Sequence, residues 1–373
     1  MGVVKNQEVI YDSTKYEYMG LPKKKSIPRF YFPLIIIIVL AEAVALGFIL
    51  FDMVPVHTFE VYSYSQYAQY VTPNDITAIA TVITKWFFFL LTAGVLIPTT
   101  IIILLEIIRR FITTRRGEEH GWDDDFAWLN KLDKTPKVTA DDKKRVEGEY
   151  IKRFDVHQRI QHYILLGSFI ILAVTGLLRG FPDWPTFQWF TSIFGGPDVL
   201  RLVHDIAAFI MIADGFYHLG YIAYGYFVKH KSPSAMYPKW KDLKDIIHTT
   251  LWIFGFYKKE PQYDHFQYGQ KIDYWAIFWG MPVMVITGII MMFPSFFGQW
   301  MGGTWFAALA TAHRDEAILA TGFILIVHMY YGHLQTTAFP VNTVMFTGKM
   351  LKSKYKQWFG REYEQLTGEK DSE

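Results

Sequence analysis

Four histidines in two apolar stretches carry the spacing in this chain that suggests a chemistry. His313 and His328 stand fifteen positions apart in a mostly aliphatic run from about Thr311 to Ala338. His204 and His218 stand fourteen apart in a second run, about Arg201 to Val228. In an α-helix, fifteen residues advance about 22 Å and turn about 60° past four whole turns; fourteen advance about 21 Å and end within about 40° of the starting direction. Each run therefore presents two imidazoles from roughly one face, at two depths. Two such helices set face to face can hold two metal centres, one above the other. A lone histidine in an apolar helix is commonly only a polar group bonded to its neighbour. Ionisable groups at membrane depth are nevertheless costly, about 2.5–3.5 kcal/mol for a charge at the centre, and two same-face pairs at nearly equal spacing are hard to reach by accident.

The centre this pattern suits is haem. Neutral imidazole donates a nitrogen lone pair to iron, and two of them make a six-coordinate, low-spin site fitted to electron transfer rather than oxygen binding. The chain has no cysteine, which excludes disulfides, cysteine-ligated iron–sulfur clusters and haem attached through Cys-x-x-Cys-His. Any redox centre must then be held by histidine, methionine or oxygen ligands. The second ring nitrogen of a ligand usually donates to a carbonyl or carboxylate, and Asp205, Asp214, Tyr217 and Asp315 are near enough in sequence to be considered. Arg159, Arg201 and Arg314 lie beside histidines and suit bidentate pairing with haem propionates; a place among lipid headgroups accounts for them equally. Gly215, Gly220 and Gly322 let a macrocycle, or simply another helix, approach the backbone.

The elements that position these residues are membrane helices. Of 373 residues 51% are hydrophobic, and apolar runs of about twenty residues mark an all-α integral membrane protein. Six spans are expected, near 32–53 (with Glu42 inside), 76–108, 159–178, 201–228, 272–293 and 311–338. The organisation is a polar tail at 1–30, a two-helix hairpin at 31–116, a linker at 117–152, a four-helix bundle at 153–340 and a tail at 341–373. Trp240 to Phe256 reads as an interfacial helix. Lys and Arg concentrate in the two tails, the 109–159 region and 229–271, so the positive-inside rule puts both termini in the cytoplasm and the protein in the cell membrane. The net charge of +2 gives no reason to expect nucleic acid. No cleavable signal peptide is apparent.

Residues 153–340 carry a resemblance. Arg159-Ile-Gln-His162-Tyr with Ala173-Val-Thr-Gly176, Arg201-Leu-Val-His204, Gly269-Gln-Lys271 with Val285-Ile-Thr-Gly-Ile-Ile290, and Ile326-Val-His328-Met-Tyr330 resemble, in order, the four helices of the cytochrome b (gamma) subunits of membrane-bound formate dehydrogenase, nickel–iron hydrogenase and thiosulfate reductase. The resemblance implies two haems, the outer held by His204 and His313 and the inner by His162 and His328. It implies a quinone near the inner haem, with Gln267, Tyr268, Gln270 and Lys271 at its site and Asp264 and His265 as proton carriers. The chain departs from that pattern in His218, which the formate dehydrogenase subunit lacks, in one extra residue between His313 and His328, and in residues 1–152. Two same-helix histidine pairs instead resemble cytochrome b of quinol–cytochrome c oxidoreductases. Spacing alone pairs His218 with His328 and leaves His162 another role, so the inner ligand stands open between His162 and His218. His333 adds a further candidate, and a third haem stays open with it.

The expected function is a membrane cytochrome b subunit within a multisubunit complex, moving electrons between the quinone pool and an extracytoplasmic redox subunit that carries iron–sulfur clusters or c haems. Trp184, Trp189, Trp300 and Trp305 lie in the outer loops, where aromatics either dock that partner or anchor in lipid. A self-sufficient haem-b oxidoreductase acting on a small acceptor is a second reading. A haem-free transporter with a histidine proton path is a third.

Overall fold

The computed structural model describes residues 33–41, 47, 76–116, 122–123, 143–231, 233–257, 260–261, 263–301, 304–335 and 342–368. The tail at 1–30, Glu42, the outer loop at 54–75 and most of the linker lie outside them. Four described helices are long and apolar enough to cross a membrane, within Ala80–Thr113, Val156–Gly180, Tyr268–Met292 and Trp305–Leu334. The protein is a multi-pass, helical membrane protein. The helix holding His204 and His218 is not in that set. Its 31 residues give it the length, and Phe209, Phe216 and Leu219 on it are exposed as lipid-facing side chains would be.

In chain order, a helical stretch at 33–41 precedes α1 (Ile76–Arg116), α2 (Val156–Gly180), α3 (Pro185–Ile193), α4 (Pro197–Phe227), α5 (Trp240–Ile253), α6 (Tyr268–Met292), α7 (Pro294–Met301) and α8 (Thr304–Phe323). α8 runs on through two π-helical segments, Ile324–His328 and Tyr330–Leu334. Three short helices, α9 (Val344–Thr347), α10 (Lys352–Trp358) and α11 (Gly360–Thr367), end the described chain.

α2 and α6 are copies of one design. Both are 25 residues long. Each begins on a cap whose backbone N–H donates to a glutamine three positions on, Asp155 to Gln158 at 3.0 Å and Gln267 to Gln270 at 3.2 Å, which satisfies a donor the helix leaves unpaired. Each ends on a phenylalanine followed by proline. Phe181 and Phe293 take the same non-helical backbone (φ −129, ψ 60 and φ −121, ψ 59), because the following ring disfavours α geometry. A short helix comes after each, α3 or α7, and then a long one, α4 or α8. α2 packs along α4, α6 along α8, and α2 also meets α8.

The first two helices brace α8. Ile35, Val39, Leu96, Ile103 and Ile107 form one core with Leu319, Ile326, Val327 and Tyr330. This contact is one that the described part of residues 31–116 makes; Arg110 adds an ion pair with Glu260 at 2.8 Å.

At the other end the expected linker and tail are not plain connections. Val146–Glu147 (β2), Tyr150–Lys152 (β3) and Lys349–Leu351 (β5) form an antiparallel sheet in which Ile151 stands opposite Met350. Trp122–Asp123 (β1) pairs in parallel with Glu260–Pro261 (β4). Ile151, Tyr263, Met350, Tyr355, Trp358, Phe359 and Tyr363 make the core of this cap. These aromatics sit among many Lys and Glu, so no long apolar run announces them, and the pairing is non-local.

A charged cluster closes the cap. Glu362 accepts from Arg145 (2.8 Å), His265 (2.8 Å) and the Tyr355 hydroxyl, while Arg153 lies over the Phe359 and Phe266 rings. Burial alone would raise the Glu362 carboxyl, but His265 and the two guanidiniums outweigh it and hold it well below the usual range. Burial, reinforced by Arg153, lowers His265 to about 4. Both shifts make the unfolded cap bind more protons than the folded one, so its stability rises with pH. His265 contributes a loss that begins as pH falls below about 6.5, the free-imidazole value, and is complete near 4; Glu362 adds to it below about 4.3. Hydrogen exchange across residues 342–368 is expected to lose protection through that window, and E362Q to destabilise the cap by about 3–5 kcal/mol at neutral pH, as for a broken buried ion pair.

Candidate functional site

His204 on α4 and His313 on α8 face one another with ring centres 6.4 Å apart. His162 on α2 and His328 on α8 do the same, also at 6.4 Å, with planes inclined by 36°. Two imidazoles bound to opposite sides of one metal through bonds of about 2 Å have ring centres roughly 6 Å apart. Both pairs stand at that separation. They lie in two layers: thirteen residues of α2 separate His162 from Thr175, which holds the other layer, a rise of about 20 Å.

Each ring in the first layer is aimed by a threonine. The Thr175 hydroxyl donates to the Ile171 carbonyl at 2.6 Å and lies 2.8 Å from His204 Nδ1. The Thr287 hydroxyl donates to the Val283 carbonyl at 2.6 Å and lies 2.8 Å from His313 Nδ1. A hydroxyl has one proton. With that proton on the backbone, the oxygen can only accept, so Nδ1 carries the N–H and Nε2 keeps its lone pair. The adjoining glycines make room: a Cβ at Gly176 would stand 3.3 Å from His204 Cε1, and one at Gly288 would stand 3.2 Å from His313 Cε1.

The second layer is built differently. His328 Nδ1 is 3.2 Å from the Asp273 carboxylate, which also leaves Nε2 with the lone pair. His328 sits in the π-helical stretch that ends α8. Such a turn inserts a residue and re-aims the side chains beyond it, so the rotation of an ideal α-helix does not carry from His313 to His328. The ring that faces His328 is His162, not the His218 that spacing alone sets against it. His218 has both ring nitrogens occupied, by the Gln161 carbonyl at 2.8 Å and the Tyr274 hydroxyl at 3.1 Å. His333 lies 6.1 Å from the His328 ring, and its Nδ1 accepts from the Asn342 backbone.

The flanking groups fall in several places. Arg314 pairs with Asp315 at 2.9 Å and lies over Phe181; Arg201 is 3.8 Å from Asp205; Arg159 donates to the Phe346 carbonyl. Lys271 is ion-paired with Asp242 at 2.7 Å, Gln270 caps α6 and accepts from Arg153, and Tyr268 packs against Tyr263. Asp264 is 3.9 Å from Arg361, and His265 belongs to the cap cluster. Tyr217 bonds His157. The groups that hold the histidines are thus Thr175, Thr287 and Asp273, none of them among the expected neighbours. A signal was available: Thr-Gly, four residues, then Phe-Pro occurs at 175–182 and again at 287–294.

No group of three or more His, Asp or Glu among the described residues is placed to hold a bare metal ion. Two nitrogens per site suit an iron that brings its other ligands with it. Comparison with known proteins agrees: residues 153–348 match the model of the prokaryotic cytochrome b561 family. The chain belongs to that family. It is similar to the cytochrome b556(Fdn) subunit of the nitrate-inducible formate dehydrogenase of Escherichia coli K12, 25% identical over 236 residues that cover 61% of this chain and 98% of that protein. The formate dehydrogenase cytochrome b556 subunit of Haemophilus influenzae is 28% identical over 173 residues, 46% of this chain and 66% of that one. The cytochrome b556(fdo) subunit of the Escherichia coli K12 formate dehydrogenase is 24% identical over 180 residues, 48% and 77% respectively. This chain is a membrane cytochrome b, and the family implies haem b.

Both facing pairs fit such a group in separation, and His204, His313 and His328 fit it in tautomer as well. T175V or T287V removes an acceptor while keeping the shape. Each is expected to weaken haem retention in the first layer by about 10–100-fold, the usual cost of losing a partner behind a metal ligand, measured as haem transfer to excess apomyoglobin.

Proposed function

We propose that His204 with His313, and His162 with His328, are the axial ligands of two b haems stacked across the membrane. The observation that carries this reading is the pair of ring-to-ring separations at 6.4 Å. Haem iron cycles between ferric and ferrous states and so moves one electron at a time. The chain fixes the N–H of His204, His313 and His328 on Thr175, Thr287 and Asp273 and so presents their lone pairs to the gap. Two centres about 20 Å apart along the helices span most of a hydrocarbon core of about 30 Å. They make a path for electrons between its two faces.

The relatives are subunits of formate dehydrogenases, and this chain is read likewise as the membrane subunit of a respiratory oxidoreductase complex. The basic residues place the cap and both termini on the cytoplasmic side, so the His204–His313 layer lies near the outer face of the cell membrane. There α3 and α7 expose Trp189, Phe190, Phe296 and Trp300, a surface for an extracytoplasmic redox subunit bearing iron–sulfur clusters or c haems. The lipid-soluble acceptor or donor on the cytoplasmic side is a quinone. The self-sufficient oxidoreductase and the transporter have no observation in their favour.

H204A and H313A are each expected to lose one haem and keep the other; H162A and H328A are expected to lose the second. H218A is expected to retain both. Iron-to-protein ratio and a reduced-minus-oxidised spectrum check this. Full haem content in the H204A and H313A proteins would remove the outer pair.

A further inference from the structure

The likeness of α2 and α6 extends to individual positions. His157-Gln-Arg-Ile-Gln-His-Tyr163 aligns with Gly269-Gln-Lys-Ile-Asp-Tyr-Trp275, 112 positions later, and the same offset joins Thr175 to Thr287 and Phe181 to Phe293. α4 corresponds to α8 at a shorter offset, 109 positions from His204 to His313 and 110 from His218 to His328, and the first-layer pair then maps onto itself. The second layer has two places. One is the His162–His328 pair, with Asp273 behind His328. The other has Tyr274 where the first has His162, His218 where it has His328, and Gln161 where it has Asp273. The structure draws both: His328 Nδ1 meets Asp273 and His218 Nδ1 meets Gln161. In the second place the partners touch, His218 Nε2 and the Tyr274 hydroxyl at 3.1 Å, which leaves no room for iron between them.

We propose that this second place, formed by His218, Tyr274 and Gln161 between α4 and α6, binds the head group of a quinone. The proposal rests on the haem-ligand reading above and goes beyond it in locating the lipid-soluble partner. Three observations carry it. First, Gln161 is more than nine-tenths buried, yet its Nε2 has no hydrogen-bond partner; its Oε1 is 2.8 Å from His218. A buried amide donor left over beside the pair calls for a carbonyl oxygen. Second, Gln161 accepts from His218 Nδ1, so Nε2 holds the lone pair and the Tyr274 hydroxyl donates to it. That hydroxyl can turn to an incoming carbonyl, and the exposed lone pair then accepts from a hydroxyl. The site thus offers both kinds of bond that a quinone and its hydroquinone need. Third, the surroundings suit a flat, apolar, lipid-borne ring. Phe278 stands 6.0 Å from His218 and 5.0 Å from Tyr274 by ring centres, and Trp275, 5.4 Å from Phe278, is exposed on what the membrane reading makes the lipid side. Gln161 directly precedes His162, and Tyr274 is the residue directly after the Asp273 that holds His328, so a ring bound here adjoins the second-layer pair.

A helix clamp would explain the His218–Gln161 bond alone, but not the unpartnered amide. The residues at the start of α6, expected from the resemblance to touch quinone, are engaged in the helix cap and in ion pairs.

The test uses the full chain, with its haems, in lipid nanodiscs and a decyl-substituted benzoquinone as probe. Binding is read from quenching of tryptophan fluorescence. Y274F and Q161L are expected to raise the dissociation constant at least tenfold while the reduced-minus-oxidised spectrum keeps both haems. An azido derivative of the same quinone is expected to label peptides from 205–228 and 272–279. Unchanged affinity in both variants, or label confined to 263–271 and 330–335, would overturn the proposal. So would a haem lost in H218A with quinone affinity intact, because His218 would then be a ligand. Failure of the haem-ligand reading shows separately, as full haem content in the H204A and H162A proteins.

Discussion

An imidazole inside an apolar slab carries one N–H that water cannot satisfy and one lone pair that can do chemistry. Where the proton goes decides where the lone pair points. An unsatisfied buried donor costs about 1–3 kcal/mol, so the acceptor placed behind each ring determines both its tautomer and its direction. Thr175 and Thr287 do this for His204 and His313, and Asp273 does it for His328. Each threonine first gives its own proton to the carbonyl four residues back, which turns an ambivalent hydroxyl into a committed acceptor. These few bonds set the orientation of the facing rings.

The duplicated framework explains why the two layers differ. In the first layer each half contributes one histidine, and the repeat maps the pair onto itself. In the second layer the halves contribute unlike residues, histidine against tyrosine and aspartate against glutamine. One junction holds its rings apart at 6.4 Å; the other closes on a hydrogen bond. An acceptor that is a carboxylate makes the ring behind it a stronger donor to metal than an amide does, so the substitutions at 161 and 273 separate the two places chemically as well as sterically.

The parts outside the four-helix unit bear on α8, which carries His313 and His328. Along the membrane its outer face is covered by α1 and the helical stretch at 33–41. Beyond the membrane the cap joins the start of α2 and of α6 to the chain past α8: Arg153 precedes α2, His265 precedes α6, and Glu362 lies beyond α8. One charged cluster thus ties together the approaches to the helices that contribute His162, Asp273 and His328.

The apolar runs and the histidines at two depths were enough to read a helical membrane protein and to bring His204 opposite His313, because hydropathy and the 3.6-residue period are local properties of the chain; haem b came with the family resemblance. The threonines that aim the rings were legible as well, in the repeated Thr-Gly…Phe-Pro pattern, but only to a comparison of the chain with itself. The second layer was not legible from spacing; only the family resemblance pointed to His162 with His328. A π turn before His328 changes the rotation that an ideal helix would give, and the choice between His162 and His218 depends on which side chains fill the space between α4 and α6. The cap, too, joins residues 146–152 to 349–351 across the whole bundle. Register within one helix is written in sequence; contacts between helices, and every bond that spends a ring nitrogen on one neighbour rather than another, exist only once the chain has packed.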